Sequence, residues 1–232
     1  MSPIDSSHDR VPIGENYKCA NGWEWFPDKK HIKADIESLI AFLRGKCDSV
    51  LDIPCGVGSI SAGLAKAGFE VTGTDANPFF IAAARSRCRK CEFVRGDMRE
   101  FSSENRFGCV LNWYTSFGYF SDVENRELVR KFAGLLEDGG ILIIETENML
   151  GSGEIRAEDM VQGMGWDRER RCAVHSNTAD PSDTCVYEIR FYSADEMRGM
   201  MEDAGLREFR MYSDRFSPYR NDSDRVIYVG RR

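Results

Sequence analysis

Residues 50–59 read VLDIPCGVGS, an apolar run that passes through an acid and ends in two glycines one residue apart, Gly56 and Gly58. A strand that ends in such a turn and opens into a helix offers a ligand bare backbone N–H groups, with no Cβ in the way. Pro54 stands where many such turns carry a glycine.

The chain around this turn alternates. Upstream, Ile36, Leu39, Ile40 and Leu43 repeat at a helical spacing. Downstream, a helix runs through Ile60 and Leu64, and FEVTGTD reads as a second strand. Asn77 and Pro78 then cap and open a helix, followed by strands CEFVR and GCVLNW. Ser121 with Glu124 forms a capping box for the next helix, with Gly139 as its expected stop, and GGILIIETE is a fifth strand. Strands alternating with helices predict an α/β fold: a mostly parallel sheet covered on both faces. The unbroken apolar runs VLDI and ILII suit buried parallel strands.

After Asn148 the pattern breaks. Residues 148–185 are polar and weakly periodic, and are expected to form a small lid or insertion. VYEIRFY then alternates like a strand, Ser193 with Glu196 opens another helix that Gly205 stops, and FRMYSD and VIYVGR read as the last strands. Residues 1–35 hold few regular signals but carry Trp23, Trp25 and Phe26, an expected cap segment on a single domain spanning 1–232.

The net charge of −7 and the pI of 5.2 argue against a nucleic-acid partner, which would need clustered Lys and Arg. No stretch approaches the roughly 18 apolar residues of a membrane span. The opening MSPIDSSHDRVPIGENYK has no apolar signal core, so the cytoplasm is the expected compartment. Of eight cysteines, Cys55 and Cys109 sit in apolar strand contexts and read as small buried hydrophobes. Cys88 and Cys91 form one CxxC. It has no second pair, and His8, His31 and His175 are not spaced to complete it, so no metal is expected.

Three guests compete for the glycine turn. A phosphate loop needs Lys and then Ser or Thr after the last glycine, but Ser59, Ile60 and Ser61 follow. A dinucleotide fingerprint would want glycine or alanine at position 61, where the helix must approach the strand, and Ser61 weakens it. The run from Asp52 through Gly58, DIPCGVG, resembles the D-x-x-C-G-x-G signature of class I S-adenosylmethionine-dependent methyltransferases.

That resemblance covers roughly residues 30–150, and weakly the end of the chain. It implies a doubly wound, mostly parallel seven-stranded sheet with an antiparallel last strand. It implies S-adenosylmethionine as cofactor, its amino-acid end held by Asp52, Cys55, Gly56 and Gly58. Asp75, which closes FEVTGTD, would accept the ribose hydroxyls with Ala76 beside it. Asp97 and Met98 of the GDM segment would meet the adenine, and Asn112 would close the site at the end of the fourth strand.

The stretch LNWYTSFGYF follows that strand. It lacks the Pro-Pro of base-methylating enzymes and resembles the TSxGYF segment of small-molecule methyltransferases. A small-molecule substrate methylated on N or O is therefore expected, with Trp25, Trp113, Tyr114 and Tyr119 as candidate pocket residues and Phe117 as packing. Tyr114, Tyr119, His31 and His175 are the candidate bases, none with a partner visible in sequence. A protein or RNA methyltransferase, or a non-catalytic cofactor-binding protein, stays open beside this reading. So does the choice between monomer and homodimer.

Overall fold

The computed structural model describes residues 28–150, 164–176 and 186–232. Trp23, Trp25 and Phe26 lie outside that set. Helix α1 spans Lys29–Leu43, followed by β1 (Ser49–Asp52), α2 (Ser59–Lys66), β2 (Glu70–Asp75), α3 (Pro78–Arg87), β3 (Glu92–Arg95) and β4 (Phe107–Asn112). Then come α4 (Asp122–Leu135), β5 (Leu136–Glu147), β6 (Met164–Asp167), β7 (Cys172–Ser176), β8 (Val186–Arg190), α5 (Ala194–Asp203), β9 (Arg207–Tyr212) and β10 (Arg225–Arg231).

Seven strands form one sheet in the order β3-β2-β1-β4-β5-β10-β9. The first five pair in parallel, and β10 runs antiparallel to both of its neighbours. Alternation along the strands divides the core. Val50, Cys109 and Ile143 pack with Leu39 and Leu43 of α1 and Leu64 of α2. Their neighbours Leu51, Val110 and Leu142 pack with Leu128 and Phe132 of α4 and Met197 and Met200 of α5. Both faces of each central strand are therefore buried, which is why VLDI and ILII are apolar without alternation.

The order reverses between β1 and β4, where Asp52 pairs with Leu111. Ligands in such sheets bind beyond the carboxyl ends of the strands at this point. The VLDIPCGVGS turn sits there because β1 ends at Asp52.

The helix starts follow the sequence closely. The Asn77 side chain accepts from the N–H groups of Phe79 and Phe80, with Pro78 in the first turn. Both capping boxes, Ser121 with Glu124 and Ser193 with Glu196, are formed. Gly139 is a correction: α4 ends at Leu135, and β5 begins with buried Leu136. Burial of that leucine pair turns the chain into the sheet before the glycine. Helix α1 begins at Lys29, inside the segment expected as a cap, and its stripe Asp35, Leu39, Leu43 is buried on the sheet.

The 148–185 region, expected as a small lid or insertion, contributes β6 and β7, which join β8 in a small antiparallel sheet. VYEIRFY thus supplies a strand, β8, to that second sheet. The β6–β7 turn carries no glycine signal. Asp167 Oδ1 accepts the Glu169 and Arg170 N–H groups, and Arg171 takes a left-handed φ of 52°. Among the described residues no helix is long and apolar enough to cross a membrane.

Candidate functional site

The turn after β1 is pinned by backbone bonds. Ile53 N–H donates to Leu111 O at 2.9 Å, Cys55 N–H to Thr74 O at 2.8 Å, and Gly58 N–H to Cys55 O at 3.0 Å. The Ile53–Pro54 peptide is cis. Gly58 is the N-cap of α2 with φ 72°, and no side chain caps this helix. The Ser61 N–H acts on Asp52, and the N–H groups ahead of it, at the positive dipole end, get no acceptor from the N-cap residue, an arrangement that favours a carboxylate. Gly58 also answers to packing: a Cβ there would lie 2.8 Å from the Ala84 Cβ and 3.1 Å from the Phe93 ring. Cys55 turns its side chain into the core with Ile81, Ala84 and Phe93, leaving only backbone for a ligand.

Asp75 ends β2 and reaches back to this turn. Its Oδ2 accepts the Gly56 N–H at 2.9 Å, and its Oδ1 accepts the Asn77 N–H at 2.8 Å. Burial raises its pKa, and the two N–H groups act in the other direction. Ala76 follows, its carbonyl accepting from Arg95 Nε at 3.2 Å. Asp52 is 2 % exposed. Burial pushes its carboxyl up to about 7, against the pull of Ser61, whose hydroxyl donates to Asp52 Oδ2 at 2.5 Å. Ser61, fully buried, thus replaces the glycine of a dinucleotide turn with a hydrogen-bond donor. Its signal in the sequence was a polar residue nine positions after an acid, on the first turn of α2.

Beyond β3, Asp97 is held in a fork by Arg99: Nη2 donates to Oδ2 at 2.7 Å and Nε to Oδ1 at 3.1 Å. Burial acts to raise the Asp97 pKa, but the Arg99 bonds outweigh it and the net shift is downward. Arg99 also reaches Glu124 Oε1 at 3.1 Å and lies over the Phe120 ring at 4.3 Å, so it links the GDM segment to the start of α4. Met98 Sδ lies 4.0 Å from Asn112 Nδ2. Asn112 is fully buried; its Nδ2 donates to Ile53 O at 2.8 Å, and its Oδ1 has no partner. The structure therefore gathers Asp52, Gly56, Gly58, Asp75, Met98 and Asn112 around the carboxyl ends of β1, β2 and β4.

The segment after β4 divides. Tyr114 and Thr115 take left-handed φ values of 58° and 52°. The Glu145 carboxylate accepts the Tyr114 N–H at 2.6 Å, and its carbonyl accepts the Thr115 N–H at 3.2 Å. Glu145 in turn receives Arg225 Nε at 2.5 Å, while Arg225 Nη1 donates to Asp35 Oδ2 at 3.0 Å. Asp35 and Glu145 are essentially unexposed, and the Arg225 guanidinium lies 5.4 Å from the Trp113 ring and 5.6 Å from that of Tyr114. This ion cluster was missed in sequence. Its one signal was an acid, Asp35, on the same helical stripe as Leu39 and Leu43.

Several candidate residues find other work. Trp113, 2 % exposed, stacks toward Phe216 at 6.1 Å in the core. The Tyr114 hydroxyl is buried and meets no hydrogen-bond geometry; burial, with the negative charge of Asp35, pushes it well above its ordinary pKa. It keeps its proton at neutral pH, which opposes a role as base. His31 Nδ1 pairs with Asp28, the N-cap of α1, at 2.8 Å. His175 falls on β7, in register with Met164 and Tyr187. Phe117 packs against Tyr192 at 5.6 Å, as expected. Tyr119 packs on Ala173, Ile189 and Phe191 of the small sheet and the segment after β8. Gly118 makes that junction possible. Its carbonyl accepts the Arg190 N–H at 2.9 Å, and a Cβ on it would lie 2.2 Å from Arg190 O.

Residues 50–140, from β1 through the beginning of β5, match a family model described as a methyltransferase domain. The chain is a class I, S-adenosylmethionine-dependent methyltransferase. Over 194 residues the methyltransferase is 27% identical to the dTDP-3-amino-3,4,6-trideoxy-alpha-D-glucopyranose N,N-dimethyltransferase of Streptomyces venezuelae, covering 75% of this chain and 81% of that enzyme. Its fold is similar to that of the CcbJ methyltransferase from Streptomyces caelestis, with a TM-score of 0.72, 18% identity, and coverage of 97% of this chain and 99% of the other. It is also similar to that of the amino pentose methyltransferase CalS10 from Micromonospora echinaspora, solved with S-adenosylmethionine bound. There the TM-score is 0.64 and the identity 21%, covering 93% and 96% of the two chains.

Proposed function

We propose that the methyltransferase holds S-adenosylmethionine along the carboxyl edge of β1, β2 and β4, and methylates a nitrogen or oxygen of a small molecule, with the amine of an amino sugar as the first class. When bound, the cofactor supplies a methyl group on a sulfonium, open to in-line displacement.

The chain's residues fit that cofactor. The uncapped start of α2 suits its carboxylate, and the unpartnered Asn112 Oδ1 is a buried acceptor for its ammonium. Asp75 keeps its carboxylate fixed by two N–H groups, with lone pairs left for ribose hydroxyls. Met98 offers an apolar face, while Asp97 must share its oxygens with Arg99 to meet an adenine. Most of the rate enhancement then comes from holding the nucleophile in line. No side chain is assigned as base.

The observation that carries the substrate class is the similarity over 194 residues to an enzyme named for methylating an amino sugar nitrogen. We place the protein in the cytoplasm as a monomer or homodimer, with Thr115–Phe120 resembling the TSxGYF segment of small-molecule methyltransferases. The first thirty-five residues would cap the domain and residues 148–185 would form its insertion. Incubation with methyl-labelled S-adenosylmethionine and nucleotide-linked amino sugars, small hydroxylated compounds, RNA or unmodified proteins tests this reading. Label in an amino sugar is the expected outcome. Label only in RNA or protein overturns it.

A further inference from the structure

The CxxC of the sequence is not absorbed by the methyl-transfer site. Cys88 caps the carboxyl end of α3, and Cys91 directly precedes β3. The Cys91 thiol donates to Cys88 Sγ at a sulfur–sulfur distance of 2.7 Å, and both thiols are free. Cys88 is half-buried at the mouth of this pair, between the exposed residues Arg87 and Arg89. Cys91 also lies against the Ser61 carbonyl, at 3.6 Å.

We propose that Cys88 and Cys91 are a thiol–disulfide exchange site, which a low-molecular-weight disulfide converts to an intramolecular disulfide. The other described cysteines are poor candidates: Cys47, Cys55, Cys109 and Cys172 are all buried, and burial raises each of their thiols. Cys88 alone among the described cysteines is shifted down. Partial burial opposes this shift, but the bond from Cys91, the N–H groups of Lys90 and Cys91, and the Lys90 charge outweigh it. Burial and the neighbouring sulfur push Cys91 up to about 12. One thiol is thus reactive and reachable while its partner keeps its proton, the division of labour of an attacking and a resolving cysteine.

The exchange runs in two steps. The Cys88 thiolate attacks one sulfur of the small disulfide, whose S–S bond breaks and whose other half leaves as a thiolate and takes up a proton. Cys91 gives its proton to solvent, and its sulfur attacks Cys88 Sγ. The Cys88–Cys91 bond forms as the second half leaves as a thiol. Two cysteines are oxidised and one disulfide is reduced to two thiols.

Oxidised glutathione is the probe, and the readout is intact mass with peptide mapping on the full chain. Wild type is expected to lose two titratable thiols, to carry no glutathione, and to yield a peptide linked between Cys88 and Cys91. Cys91→Ser is expected to stop at a glutathione adduct on Cys88. A lasting glutathione adduct on wild-type Cys88, unchanged thiols, or a first bond at any other cysteine, Cys19 and Cys185 included, overturns the proposal. Because the wild-type result alone decides, a variant that fails to fold does not blunt the test.

Discussion

Asp75 Oδ2 accepts the Gly56 N–H at 2.9 Å across 19 residues of chain, so the acid that ends β2 holds the glycine turn that follows β1. The same carboxylate accepts the Asn77 N–H at 2.8 Å and so fixes the start of α3. The residue proposed to meet a ribose therefore also shapes the loop proposed to meet the amino-acid end. Hydrogen bonds to a charged group contribute about 1.5–3 kcal/mol each. Asp75→Ala is expected to speed exchange of the Gly56 amide by roughly tenfold or more, measured by hydrogen exchange. An unchanged Gly56 rate contradicts this tie.

Asp52 gives the fold a pH dependence of unusual sign. Its carboxyl titrates at 3.8 when free and at about 7 in the folded protein. Below the lower value both states hold the proton. Between the two values the unfolded chain releases it and the folded chain keeps it, so stability falls as pH rises. Above about 7 both states are ionised and the contribution levels off. The full span is worth a few kcal/mol at most. Asp52→Asn is expected to remove this slope, read as the difference between urea-unfolding curves of variant and wild type across that range. Identical slopes contradict the assignment.

Arg225 neutralises two acids that water does not reach. Its Nη1 bonds Asp35 at 3.0 Å and its Nε bonds Glu145 at 2.5 Å. Leaving a buried charge without its partner costs about 3–5 kcal/mol. Arg225→Met is expected to lower stability by that order, and to free the Tyr114–Thr115 turn that Glu145 holds. Denaturant midpoints check it, and a loss below about 1 kcal/mol contradicts it.

Gly118 lies flush against β8. It has φ 102°, and an added Cβ would sit 2.2 Å from Arg190 O, a backbone atom with little freedom to move. Gly118→Ala is expected to cost about 1–3 kcal/mol through overpacking, and more for the left-handed backbone. Thermal unfolding measures it. A variant as stable as wild type contradicts the close junction between this loop and the small sheet.

The central sheet was legible because its middle strands are buried on both faces and helices α3, α4 and α5 open with side-chain caps. VLDI, ILII, Asn77-Pro78 and the two capping boxes each announce one element. The positions of Asp75 and Asn112 were legible because each is a polar residue that closes an apolar strand at the carboxyl edge of the sheet. The small sheet was not, because β6 and β7 are short and join through a turn shaped by Asp167 rather than by glycine. The packing of Trp113 was not legible, because an aromatic just after β4 can face either way, and only the folded chain brings Phe216 and Arg225 beside its ring. Asp35 and Arg225 lie 190 residues apart, and no local pattern pairs them.

The cofactor site is tested most directly by titrating S-adenosylmethionine into the wild-type protein and into Asp75→Ala by isothermal calorimetry. The wild type is expected to bind one equivalent, and the variant is expected to bind at least about tenfold more weakly, as the loss of charge-assisted bonds implies. No heat of binding in a folded wild type, or equal affinity in the two proteins, contradicts a site built on Gly56 and Asp75.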